Sequence, residues 1–137
     1  MHAQEMIASH PQARGRTSEA LIRCIEAAYD CAQTCTACAD ACLGEAMAPQ
    51  MTQCIRTCLD CADVCMTTGT LATRRTGSNV QLVARLLEVC EEACRACAHE
   101  CERHAQHMEH CRICAEACRR CEAACRAAAG AMTPTLQ

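Results

Sequence analysis

Sixteen of the 18 cysteines of this chain fall into four copies of one spacing, C-x3-C-x2-C-x3-C. The copies are Cys31, Cys35, Cys38, Cys42; Cys54, Cys58, Cys61, Cys65; Cys90, Cys94, Cys97, Cys101; and Cys114, Cys118, Cys121, Cys125. Steps of three and four return to one face of an α-helix, so each copy is a narrow stripe of thiols along one helix. The two remaining cysteines keep the phase. Cys111 lies three residues before Cys114, and Cys24 lies seven before Cys31 with Ala28 filling the step between. Four such stripes, each needing cover, predict an all-α fold: an antiparallel up-down four-helix bundle with a Cys-lined core.

Little else in the chain could build a core. Leu, Ile and Val number 8, 5 and 4, and there is no Phe or Trp, so large aliphatics make up about 12 % of 137 residues. Below about 20 % a chain is expected to be disordered unless something else holds it. Residues between the cysteines are largely Ala, Arg, Glu, Asp and Thr; the Ala-, Arg- and Glu-rich stretches favour helix.

Helix limits follow from the breakers. Residues 1–16 carry Pro11 and Gly15 and read as a flexible or short-helix segment. The bundle is expected over 17–130, with helices near 18–46, 50–72, 79–104 and 107–129, and a tail at 131–137. Thr17 or Ser18 starts the first helix, Pro49 breaks it, and residues 73–79 (TRRTGSN) form the clearest loop, with Ser78 or Asn79 as N-cap. No Gly or Pro separates the last two helices. The cysteine phase does: continuing the rhythm from Cys90 predicts thiols at 104, 108, 111, 115, 118 and 122, whereas they fall at 111, 114, 118, 121 and 125. A turn near 104–110 resets the register.

Packing does not account for 18 seam thiols, because Cys fills less volume than Leu and leaves a thin core. Disulfides between i and i+4 on one helix are disfavoured, since both side chains project the same way. Soft-metal binding remains, and charge ranks the metals. Zn(II) held by four thiolates leaves two negative charges per site. Four such sites would put about eight charges in a dry core, which is costly. Iron–sulfur clusters are also usually anionic, and their loop-borne C-x2-C-x2-C runs are absent. Cu(I) bridged by thiolates at about one ion per Cys is neutral overall and suits soft sulfur.

Other classes fit poorly. A redox enzyme needs an exposed, low-pKa thiol, and each C-x2-C pair here lies inside a predicted helix. A mildly acidic chain without a basic stripe or aromatic platforms argues against nucleic acid, and no run approaches a membrane span. With no signal-like apolar run, the expected location is the cytoplasm. Alternatives that keep the architecture are a zinc or general metal-buffering thiol protein and a copper carrier.

The seam pattern over about residues 20–129 resembles the bacterial copper storage proteins, and the lack of a signal resembles their cytosolic branch. The resemblance implies storage of Cu(I) rather than an enzymatic reaction. It implies all 18 cysteines as ligands, with C-x3-C pairs completed by a thiolate from a neighbouring helix. It also implies a homotetramer. A copper chaperone or chelator is the expected partner for loading and release.

One end of the bundle gathers other copper ligands. Stepping the seams outward reaches Met47, Met51, His104, Met108 and His107, with His110 beside them. These six are candidate auxiliary ligands or mouth residues, since thioether and imidazole both suit copper. Leu21, Leu71, Val83, Leu86 and Leu87 are expected to seal the opposite end.

Overall fold

A computed structural model describes residues 1–132. Among them there are five α-helices, one 3-10 turn and no strand. The helices are α1 (Ala3–Ser9), α2 (Glu19–Leu43), α3 (Thr52–Ala72), α4 (Val80–Glu102) and α5 (Glu109–Ala131). The long helices form a closed ring in which α2 packs on α3, α3 on α4, α4 on α5, and α5 back on α2.

The helix ends follow local chemistry. Ser18 caps α2, its Oγ accepting a hydrogen bond from the Leu21 amide at 3.1 Å. Pro49 sits in the 3-10 turn Ala48–Gln50, and Met51 leads directly into α3. Asn79 occupies the N-cap position of α4 and donates from Nδ2 to the Leu71 carbonyl. The turn between α4 and α5 is built without Gly or Pro, through backbone bonds from His104 to Cys101 and from His107 and Met108 to His104. Helix α5 runs through Gly130 to Ala131, two residues past the expected stop. Of the expected tail, residues 133–137 lie outside the described residues.

The two sides of the ring are joined differently. On the α2–α3 side small residues let the backbones approach: Ala28, Ala32, Ala39, Ala62 and Gly69 are all buried. A Cβ at Gly69 would lie 3.1 Å from the ring of Tyr29, the one aromatic side chain, so only glycine fits there without displacing it. On the α4–α5 side the join is ionic. Arg119 forks onto Glu102 at 3.0 and 2.8 Å and also reaches Glu122 at 2.9 Å. Arg126 bridges Glu91 and Glu122. These arginines and glutamates tie neighbouring helices within one chain. The buried Glu122 is thereby surrounded by Arg95, Arg119 and Arg126.

All 18 cysteines are buried. Leu21, Ile25, Val83 and Leu87 are buried at one end of the tube they line, where α1 packs on α2 and buries Ile7 in the same core cluster. Leu71 and Leu86 are only half-buried there. The segment before α2 is tied to the α3–α4 loop: His10 Nε2 meets Thr76 Oγ1 at 3.2 Å, and the Gly77 amide donates to Gln12 at 3.3 Å.

Candidate metal centre

Because each seam steps by three or four, the four helices bring their sulfurs to common levels. At least four all-thiol groups among the described residues stack along the tube, each with its sulfurs within 4.8 Å of one another. Counting from the leucine end, they are Cys31, Cys65, Cys94, Cys121; Cys31, Cys35, Cys61, Cys118; Cys35, Cys97, Cys114, Cys118; and Cys38, Cys58, Cys101, Cys114. Neighbouring groups share thiols: Cys31, Cys35, Cys114 and Cys118 each belong to two.

The C-x3-C pairs are set as ligand pairs. Cys31 and Cys35 lie 3.7 Å apart, and Cys61 and Cys65 3.8 Å. Neighbouring helices add a third sulfur: Cys118 is 3.8 Å from Cys31 and 3.5 Å from Cys35, and Cys94 is 3.8 Å from Cys61 and 3.6 Å from Cys65. Near the leucine end Cys24 faces Cys125 at 3.7 Å, and Cys90 lies 3.7 Å from Cys65. Without metal the close packing shifts these thiols in both directions: hydrogen bonds from neighbouring thiols draw Cys31 and Cys90 down, while others are held against ionisation. Burial, with the neighbouring Cys38 and Cys54, pushes Cys42 up to about 12. Burial, aided by Cys38 and Cys42, likewise raises Cys111. Cys35 and Cys101 are raised through hydrogen bonds with Cys114 above all, and by burial.

At the open end the donors change. Cys38, Cys42, Cys111 and His110 form a mixed group within the same 4.8 Å. His110 Nδ1 lies 3.4 Å from Cys38 Sγ and 3.7 Å from Cys111 Sγ, while its Nε2 faces Glu45 at 3.1 Å. Met51 and Met108 are buried beside this end. His104 is half-buried and pairs with Glu100 at 3.5 Å. The Cys54 thiol is drawn down by hydrogen bonds with Cys101 and Cys58, with a smaller pull from His104. His107 and Met47 are exposed at the rim, Met47 at 52 %. So the imidazole that meets the thiols is His110. The seam-stepping argument reaches His104 and His107 because it extends helical phase through 104–108, where the chain instead turns. The signal available in the sequence was the phase reset itself, which makes His110 a first-turn residue of α5 beside Cys111.

Fold and site together define a class: a four-helix bundle whose interior is a continuous thiol tube able to hold soft metal ions. The comparisons with known proteins name the family. The copper storage protein family model matches residues 17–130, and the chain belongs to that family. It is similar to the copper storage protein Ccsp from Streptomyces lividans loaded with 10 copper equivalents. The two are 46 % identical over 95 % of this chain and 99 % of that one, with a TM-score of 0.91. A structure of the cytosolic copper storage protein from the same organism with five coppers is 50 % identical over 84 % of this chain and 96 % of that one, with a TM-score of 0.82. A variant of that protein with two histidines replaced by alanine is 49 % identical over 86 % and 100 %, with a TM-score of 0.83. Among curated proteins none matches. No helix among the described residues is long and apolar enough to cross a membrane.

Proposed function

We propose that this chain stores copper as Cu(I), at about one ion per cysteine, with all 18 thiols as ligands and His104, His110, Met51 and Met108 as auxiliary ligands at the mouth. His107 and Met47 stand at the rim as first contacts for incoming metal. The observation that carries this reading is the sharing of thiols between successive groups, since shared sulfurs suit bridged Cu(I) and not a row of separate four-thiolate sites. Each ion that binds displaces protons from the thiols that take it up. The finished tube is then close to neutral, which a dry interior requires. The reading includes a cytoplasmic location, as for the relative described as cytosolic. A copper chaperone or small chelator exchanges the metal, and the chain acts as a store, not an enzyme.

An anaerobic Cu(I) titration of the reduced protein against a competing chelator tests this. Tight uptake near one ion per Cys is expected. Saturation at one to four ions overturns the storage reading and leaves a carrier or a zinc buffer.

The reading also includes a homotetramer. Leu43, Leu59 and Ile113 stand 63 %, 44 % and 45 % exposed on the outer faces, apolar area suited to contact between copies. Sedimentation of the apo protein is expected to give a species near four times 14.8 kDa. A lone 14.8 kDa species overturns it.

A further inference from the structure

The donors at the open end differ from the rest of the tube in kind, number and charge. Three thiols, Cys38, Cys42 and Cys111, meet one imidazole, His110. A tetrahedral Zn(II) with bonds of about 2.3 Å to sulfur and about 2.0 Å to nitrogen needs ligand edges of about 3.8 Å between sulfurs and about 3.5 Å from sulfur to nitrogen. The observed edges are 3.4 and 3.7 Å from His110 Nδ1 to Cys38 and Cys111, and 4.0 Å between Cys38 and Cys111. These three edges, one face of the tetrahedron, are therefore near zinc values before any ion enters, and the Cys42 sulfur lies within 4.8 Å of all three donors. Behind it stands Glu45, 3.1 Å from His110 Nε2. A carboxylate accepting that N–H leaves the Nδ1 lone pair facing the sulfurs, the arrangement that orients a metal-binding imidazole.

From these observations we infer that in the copper-free chain the mouth holds a single Zn(II) in a site made of Cys38, Cys42, Cys111 and His110, oriented by Glu45, which gives way to Cu(I) as the tube fills. On binding, the three thiols release three protons to solvent and His110 binds as the neutral imidazole. The bound set carries one negative charge, against two for Zn(II) in any of the four all-thiol groups. Its three thiols are as buried as those below, but His110 and Glu45 are half-buried and bring this group to the edge of the tube. Zn(II) thus meets a lower charging cost here than in the all-thiol groups named above, with four donors of its preferred types. Because this group shares Cys38 with the thiol group below it, the inference rests on the storage reading only for its context. The zinc chemistry stands on the four donors alone.

The test is an anaerobic Zn(II) titration of reduced full-length protein against a chromophoric chelator, with Co(II) as a spectroscopic substitute. One equivalent of Zn(II) is expected to bind at least about tenfold more tightly than any later one, and the first Co(II) equivalent to show the intense visible bands of a tetrahedral thiolate-rich site. His110→Ala should abolish the separate first step and shift the Co(II) bands. Glu45→Gln, which keeps a hydrogen-bond acceptor at Nε2, should weaken that step by about 10-fold. Far-UV circular dichroism confirms that both variants remain folded. A zinc isotherm with no distinct first equivalent overturns the inference, as does a first equivalent indifferent to His110→Ala. The Cu(I) titration of the unaltered protein reads storage separately, so a failed zinc arm with full copper capacity removes the zinc site alone.

Discussion

Loading reduced protein with Cu(I) should raise its melting temperature by about 20 °C or more, and stripping the metal with a strong chelator should return it. The apo bundle has little to hold it. Its largest fully buried side chains are Ile7, Leu21, Ile25, Met51, Leu87 and Val83, grouped mainly at the ends, while the length between is sulfur and alanine. A buried large aliphatic contributes about 1.5–3 kcal/mol, and the middle of this tube has almost none. Copper replaces that missing cohesion with bonds between helices. A ligand present at about 1,000 times its dissociation constant adds about 4 kcal/mol per site to a state that alone binds it. Binding to cysteines of the unfolded chain lowers that figure, but the unfolded chain cannot assemble sulfurs from three helices. A few occupied groups therefore exceed the stability of an ordinary small domain, and each kcal/mol moves the midpoint by about 2–8 °C in domains of comparable size. Differential scanning calorimetry of apo and loaded protein under nitrogen decides the matter. A rise below about 5 °C would mean that the ions sit outside the interhelical groups.

Alkali should unfold the apo protein and spare the loaded one. The folded bundle holds thiols such as Cys42 and Cys111 above their ordinary value of 9.0, chiefly by burying them. A group whose pKa is raised by folding contributes stability that is fully present below its unfolded value. That contribution is lost as pH climbs through the folded value. For Cys42 the window opens near 9 and closes near 12. Cys35, Cys94 and Cys118 are raised in the same direction by hydrogen bonds with neighbouring thiols and by burial. With copper bound the thiolates are already formed and compensated, and no proton remains to be lost. Helical circular dichroism of the reduced apo chain is expected to collapse between about pH 9 and 12, while the loaded chain stays helical. An apo signal that is level across that range would show that ionisation does not oppose this fold.

Much of this architecture is legible in the residues because one side chain type marks the core throughout. The 4-3-4 stepping of cysteine gives helix, face and helix count at once, and the phase change after Cys101 gives the turn that no Gly or Pro announces. Less legible is what the turn does to the residues beside it. Seam phase says which positions would face inward if the helix continued. It cannot say that Met108 becomes the N-cap of α5, which leaves His107 outside and brings His110 against Cys38. That contact also depends on Glu45, sixty-five residues away and just past the end of α2, which no local pattern connects to it. The α4–α5 arginine–glutamate ladder is similar. Its charges are plain in the sequence, but their partners follow only from the order of helices around the ring.

The leucine end has a consequence for traffic. On the storage reading, with Leu21, Val83 and Leu87 buried at one end, ions entering beside His110 reach Cys24, Cys90 and Cys125 only by passing the levels above. Such a vessel works as a stack: what enters last leaves first. A brief copper shortage draws on the newest ions beside the mouth, while the oldest stay at the bottom until the levels above have emptied.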